Sequence, residues 1–365
     1  MPRALIIGSG LTGISAGIHL KQTGDWYVEV HEAARIAGGA VRTEEIGGIL
    51  YEPNGTHISH TDNDRVIEIL SKYSKWVPYF HIVKTVVNGR VLSWPPQVDE
   101  LKTLPEWPTI SSELEALPDT PDKTNFETYA VSIMGETLYR MFIYPYTYKQ
   151  WGTEPVNLSS SFAPKRIDLR NDGYLGLFRD KWQGWPEGGW TQLAMNMLKD
   201  AADEVYLNTK DTVDTVAWGA WDAVIVTAPL DEFLVTDPLP WRGVRLEHRY
   251  ISDTEGYALE AGVVNTPGLD VQHTRIIETK QMSGQKEMTG TVMSYEYPGA
   301  PAKHYPVADA NSENKTRAND LKKELVEAFP HAVTAGRLAN YVYIDTDQAI
   351  LQGIVAAEKV LKNDE

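Results

Sequence analysis

Gly8-Ser9-Gly10-Leu11-Thr12-Gly13 lies eight residues into the chain, between the apolar run Ala4-Leu5-Ile6-Ile7 and the helically spaced residues Ile14 to Lys21. A buried parallel strand, a glycine turn and a helix form the context in which G-x-G-x-x-G reads as a dinucleotide-binding fingerprint. The first glycine permits the tight turn, the second lets backbone approach a pyrophosphate, and the third lets helix and strand pack closely. Unpaired N–H groups and about half a positive charge collect at the helix N-terminus, where the pyrophosphate lies.

Two later features narrow the ligand. Tyr27-Val28-Glu29-Val30-His31 predicts a second strand ending in Glu32, an acidic residue spaced to accept a ribose hydroxyl. Gly38-Gly39 and Arg42-Thr43 follow. Glutamate, a short spacer and a glycine pair resemble the extended fingerprint of FAD enzymes rather than that of NAD dehydrogenases. Gly17 adds a small residue on the packing face of the helix.

The 365 residues can bury two or three cores. A net charge of −16 argues against nucleic acid or an anionic membrane surface as partner. An anionic substrate would also be repelled overall, so individual arginines must capture it. There is no cysteine, which excludes disulfides, thiolate nucleophiles and cysteine metal sites. No apolar run is long enough to span a bilayer, and the N-terminus does not read as a signal peptide. A cytoplasmic location is expected. Eleven Trp and 18 Tyr suit cores and also stacking on bases and sugars.

The layout predicts an α/β multidomain chain. A discontinuous Rossmann-like FAD-binding domain is expected over 1–82, 190–235 and 331–365. A helical insertion is expected over 97–156. An antiparallel sheet domain is expected over 83–96, 157–189 and 236–330, with a mobile loop near 160–176. Asn88-Gly89 marks a hairpin. Glu127 to Phe142 reads as the strongest helix, Trp190 to Ala201 as another, and Asp222 to Pro229 as a strand with a sharp stop. Gly243 to Tyr297 reads as antiparallel strands, Asn319 to Phe329 as helix, Val333 to Gly336 as strand and Asp347 to Leu361 as the final amphipathic helix. A ligand would sit where the three units meet.

Several clusters carry candidate chemistry. His57 and His60 stand in a glycine-containing loop; they suit general-base work near neutral pH or bonding to loop backbone. No third ligand accompanies them, so no metal is expected. Tyr146, Tyr148 and Trp151 could stack on a base or cap a helix. Arg166 and Arg170 are either solvated or able to close on an anion. Arg275 lies in a sheet-like run, and its planar fork suits a diphosphate. The helix after Asp345 would aim its N-terminus at a flavin and favour the reduced, anionic form.

In this order, Gly55-Thr56-His57-Ile58-Ser59-His60-Thr61, Tyr146-Thr147-Tyr148-Lys149-Gln150-Trp151-Gly152, Gln183-Gly184-Trp185-Pro186-Glu187-Gly188-Gly189, Arg275-Ile276-Ile277-Glu278, Tyr305-Pro306-Val307 and Gly336-Arg337-Leu338-Ala339 resemble the UDP-galactopyranose mutases of bacterial type from end to end. The resemblance implies an FAD enzyme, active when reduced, that interconverts UDP-galactopyranose and UDP-galactofuranose through a covalent flavin N5–sugar adduct with no net redox change. It implies catalytic roles for Arg170, Arg275, His57, His60, Tyr343 and Asp345. It implies substrate contacts from Phe142, Tyr146, Trp151, Arg170, Asn265, Arg275, Tyr305, Tyr341 and Tyr343. It implies FAD contacts from Gly8, Gly10, Thr12, Gly13, Glu32, Gly38, Gly39, His57, Gly336, Arg337 and Asp345. A homodimer is the family expectation. Trp94-Pro95-Pro96-Gln97 departs from the family pattern, with Gln97 where a sugar-side Asn is expected, and Ile67 stands near a missing Trp. Another nucleotide sugar, such as UDP-arabinopyranose or UDP-N-acetylgalactosamine, and an oxidoreductase of amine-oxidase type are the competing readings.

Overall fold

The computed structural model describes residues 1–161 and 167–363, the last by backbone only. Its central sheet has five parallel strands in the spatial order Glu204–Leu207, Tyr27–Glu32, Arg3–Ile7, Ala223–Val226 and Ala332–Thr334. Ala4 to Ile7 and Ala223 to Val226 are buried on both faces, the pattern of a helix-covered parallel sheet. The first helix, Leu11–Thr23, packs against Trp190–Ala201 and against the last helix, Thr346–Asn363. Glycines make this closeness feasible. A Cβ on Gly353 would lie 2.2 Å from Thr12 O, and one on Gly17 would lie 2.3 Å from Ala201 O.

A six-stranded sheet runs in the order Trp241–Ile251, Thr291–Pro306, Arg275–Ile277, Val263–Asn265, Val83–Val87 and Arg90–Trp94. It is mixed rather than antiparallel, because Val263–Asn265 joins Val83–Val87 in parallel. The two strands come from remote segments, so no tight turn dictates their direction. The hairpin at Asn88-Gly89 forms with both residues at positive φ (50° and 73°), as its tight turn demands. Register sets one face of this sheet. Val83, Val263, Ile277 and Ser294 form one row, and Thr85, Asn265, Arg275 and Glu296 form the next row on the same face. The first of these rows supplies Val83, Val263 and Ile277 to the main hydrophobic core.

The helical unit has its own core, built around Tyr129, Met134, Leu138, Tyr139 and Phe142. Its expected single helix is broken. Phe126–Leu138 contains Gly135 at φ 81°, a π-helical turn follows at Tyr139–Ile143, and Tyr144–Trp151 is a separate helix. Glu113 reaches the break and accepts from the Thr137 N–H and Oγ1, both at 2.8 Å. The run Tyr146 to Trp151 is therefore helical itself. The helix expected to begin at Asn319 begins at Glu313 instead, and Gly336 opens a short helix rather than ending a strand.

Candidate active site

In the glycine turn Gly8 and Gly13 have no room for a side chain, whereas Gly10 meets only Gly39 at 4.0 Å. Gly8 has φ 106°, and a Cβ there would meet Thr227 Oγ1 at 2.3 Å. Gly10 caps the first helix without any side-chain cap, and its neighbour Ser9 accepts from the Gly38 N–H at 2.9 Å. Gly39 packs on Gly10 and Gly336 on Thr12. Glu32 accepts from the Ser9 N–H (2.9 Å), Ser9 Oγ (2.7 Å) and the Ala34 N–H (2.7 Å), which aligns its carboxylate at the mouth of the turn. Just past the glycine pair, Arg42 Nε is buried with no protein partner.

The six-stranded sheet contributes the polar row. Arg275 donates from Nε and Nη2 to Glu296 Oε2 at 2.9 and 2.7 Å, and Nη2 also reaches Tyr305 Oη at 3.4 Å. Glu296 is 1% exposed. Burial opposes the Arg275 charge, but the Glu296 carboxylate with Tyr305 and Tyr146 together outweigh it and raise the group well above its ordinary value. Burial, and then Glu296, raise the Tyr305 phenol, so it stays protonated. Tyr305 stacks on Tyr343 (ring centroids 5.7 Å apart) and is tilted against Trp151 at 6.2 Å. Tyr146 lies close enough to act electrostatically on both Arg275 and Tyr305. The structure thus gathers Tyr146, Trp151, Arg275, Tyr305 and Tyr343 from four separated segments, and Asn265 pairs with Arg275 in register.

The histidines are anchored rather than bonded to loop carbonyls. His57 Nδ1 lies 2.8 Å from Glu52 Oε2, and Glu52 also accepts from the His57 N–H and from Trp185 Nε1. His60 is on the strand Ser59–Thr61, with Nδ1 3.0 Å from Asp180 Oδ2 and its ring stacked on Phe178 at 3.5 Å. Asp345 immediately precedes the last helix, whose Thr346 and Asp347 bond to Ser59 and Thr61 of the same strand. Arg337 donates to the backbone carbonyls of Lys303 and His304, directly behind Tyr305.

Three residues expected at the site make structural contacts in this structure. Arg170 is 5% exposed and holds its own loop: Nε donates to Asp168 (2.7 Å), Nη1 to the carbonyls of Tyr174 and Gly176, and Nη2 to Leu177 O (3.1 Å). Its backbone pairs with Pro96 and Val98, and Gln97 Nε2 donates to Tyr174 O at 3.0 Å. These bonds hold the described part of that loop in this structure; Arg166 lies outside the described residues. Tyr341 is 4% exposed, with its hydroxyl on Pro240 O and the Val307 N–H and its ring against Trp241, so it braces the fold beneath the site. Phe142 is buried in the helical core, stacked toward Trp94.

Sequence reasoning missed Glu296 and His81. Glu296 shares a strand face with Ser294, a signal that means nothing until the register with Arg275 is known. His81 is 4% exposed with Nδ1 unpartnered, and burial, then Arg275 and His60, push it down to about 3. His304 is lowered to about 4, first by burial and then by Arg337. Both stay neutral in the folded state at pH values where the unfolded chain takes up protons, so their contribution is complete above about pH 6.5 and is lost as pH falls toward those lower values. His31 has the opposite sign: its hydrogen bond to Asp211, against burial, raises it. Thermal unfolding at pH 7.5 and pH 5 is expected to show a smaller loss in His81→Phe than in the parent; equal losses would refute the assignment.

A parallel sheet with a glycine turn at the N-terminus of its first helix defines an α/β protein with a Rossmann-like dinucleotide-binding domain. Residues 6–73 match the model of the NAD(P)-binding Rossmann-like domain, and residues 141–343 match that of UDP-galactopyranose mutase. The second match spans more than half of the chain, and the chain belongs to the UDP-galactopyranose mutase family. It is 29% identical to the dTDP-fucopyranose mutase of Escherichia coli, over 100% of this chain and 99% of that one. It is 26% identical to the UDP-galactopyranose mutase of Mycoplasma pneumoniae, over 98% of this chain and 96% of that one. A crystal structure of reduced UDP-galactopyranose mutase superposes with a TM-score of 0.83 at 16% identity, covering 100% of this chain and 94% of that one. Among the described residues no helix is long and apolar enough to cross a membrane, and no group of three or more His, Asp or Glu could hold a metal ion.

Proposed function

We propose that the chain is a flavin-dependent isomerase that interconverts the pyranose and furanose forms of UDP-linked galactose, with FAD held in the glycine cradle and used in its reduced state. The observation that carries this reading is the Arg275–Glu296–Tyr305 cluster, flanked by Tyr343, Tyr146 and Trp151. A fixed cation among aromatic rings suits a nucleoside diphosphate. The cradle fits FAD. Gly8 and Gly13 admit no Cβ and keep the turn tight, the bare Gly10 at the helix N-terminus lets a pyrophosphate approach, Glu32 is aligned for a ribose hydroxyl, and the orphaned Arg42 Nε is a donor for a phosphate.

When bound, reduced FAD would supply the electron-rich centre that displaces UDP from the sugar. Arg275 holds the diphosphate and the departing UDP. Arg170 adds a second cation once its guanidinium releases the carbonyls of its own loop. Tyr146 and Trp151 take the uracil end, Asn265 the nucleotide side, and Tyr305 and Tyr343 line the sugar. Gly336, Arg337 and Asp345 close the flavin side with Thr12. Carboxylates occupy Nδ1 of both His57 and His60, which leaves Nε2 of each to hold or move a proton at the sugar.

Galactose follows from the family, and the dTDP-fucopyranose mutase relative makes the sugar the point to test. The purified protein is assayed with UDP-galactofuranose and dTDP-fucofuranose, before and after dithionite reduction. Turnover of the UDP sugar by the reduced form alone is expected. Full activity in the oxidised form, or oxygen consumption without isomerisation, would overturn the reading. The same reading has the enzyme act in the cytoplasm as a homodimer, away from membranes and nucleic acid, which light scattering and cell fractionation test.

A further inference from the structure

We propose that Lys149 is a positioning residue that sets the separation between the aromatic helix and the diphosphate cation. Lys149 lies on the helix Tyr144–Trp151, between Tyr146 and Trp151. Its Nζ reaches four backbone carbonyls: Thr266 (2.6 Å), Gly268 (2.6 Å), Val271 (3.0 Å) and His273 (2.9 Å). An ammonium has three N–H donors, so four converging oxygens form a cage around the charge. The segment that makes the cage joins the strand ending at Asn265 to the strand starting at Arg275. Thr266 and Thr274 pair across its base, and Thr266 Oγ1 donates to His273 O. One side chain from the aromatic helix thus organises the loop whose two ends carry Asn265 and Arg275.

A second cation works from the opposite side. Arg242 donates to the carbonyls of Gln150 (2.6 Å) and Lys149 (3.2 Å) at the C-terminal end of the same helix. Arg242 is paired in register with Tyr305. The helix is therefore fixed to the six-stranded sheet at two places, by Lys149 to the loop that leads into Arg275 and by Arg242 to the strand paired with Tyr305. Without the ammonium, four carbonyls are left facing one another and the loop relaxes outward, carrying Arg275 away from Tyr146. Ground-state and transition-state contacts to the nucleotide are lost alike, so affinity falls more than maximal turnover.

This inference rests on the nucleotide-sugar reading of the site. The chain contains no cysteine, so Lys149→Cys introduces a single thiol. Aminoethylation then restores an ammonium on a side chain of almost the original length. In the flavin-loaded protein, Lys149→Cys is expected to raise KM and the Kd for UDP at least tenfold, with kcat within threefold and flavin content unchanged. Aminoethylation is expected to return both constants to within threefold of the parent, whereas the neutral adduct with iodoacetamide is not. A Kd for UDP within twofold of the parent, or equal losses that the ammonium does not restore, would overturn the proposal. If that variant does not fold, Lys149→Arg is read instead. A planar fork cannot meet four converging oxygens, so a tenfold weaker Kd is expected and a parental Kd overturns. Failure of the parent protein itself to bind UDP would defeat the site reading rather than the role of Lys149.

Discussion

Arg275→Ala is expected to lower turnover by the reduced enzyme at least a hundredfold while flavin remains bound. Two charge-assisted contacts to a diphosphate contribute about 1.5–3 kcal/mol each, or roughly 10²- to 10⁴-fold together. The substitution also strands Glu296, which is 1% exposed and keeps Thr274 as a side-chain partner. Removing one partner of a buried pair costs about 3–5 kcal/mol. Loss of activity and loss of stability must therefore be separated. Adding Glu296→Gln removes the stranded charge, so the double variant is expected to melt closer to the parent and to remain inactive. More than a tenth of parental turnover in folded Arg275→Ala would refute the assignment.

Gly13→Ala is expected to leave less than a tenth of the parental flavin after purification. Its Cβ would lie 2.0 Å from Gly8 O and 3.1 Å from Ile6 Cγ2. The nearest atom is backbone of the turn itself, so the clash cannot be relieved by a side-chain rotation, and the helix must move off the strand. Overpacking of this kind costs about 1–3 kcal/mol or more, and the shift also spoils the alignment of helix N–H groups that a pyrophosphate needs. Gly219→Ala is the matched control: a Cβ there meets nothing within 4 Å, and flavin content should not change. Parental flavin content in Gly13→Ala would exclude the turn as the cofactor cradle.

The cofactor side of the molecule was the more legible. The strand Arg3–Ile7, the first helix and the strand Tyr27–Glu32 are short-range structures, and their signals are consecutive residues. Trp190–Ala201 likewise announces itself by spacing alone. The edge strand Glu204–Leu207 was not read, because all four residues are exposed and no alternation marks them. The helix through Phe142 was read as continuous, although Gly135 was there to warn of a break; only the Glu113 carboxylate, from another helix, explains the broken course.

The substrate side depended on register and on what each side chain touches. Arg170 and Arg275 look alike in sequence, yet one bonds to its own loop and the other pairs with the buried Glu296 on the polar row of the sheet. Tyr341 and Tyr343 are two residues apart, yet Tyr341 is buried under the site and Tyr343 is 40% exposed against Tyr305. Lys149 and His81 carried no signal of their own.

By itself the sequence determined the dinucleotide turn, because a glycine turn is a local steric requirement that a few consecutive residues satisfy or fail. Tertiary structure alone decided which arginine pairs with Glu296, which tyrosine stacks on Tyr305 and which lysine is enclosed by four carbonyls. Those outcomes follow from pairing between strands distant in the chain, where a shift of one residue turns each side chain to the opposite face.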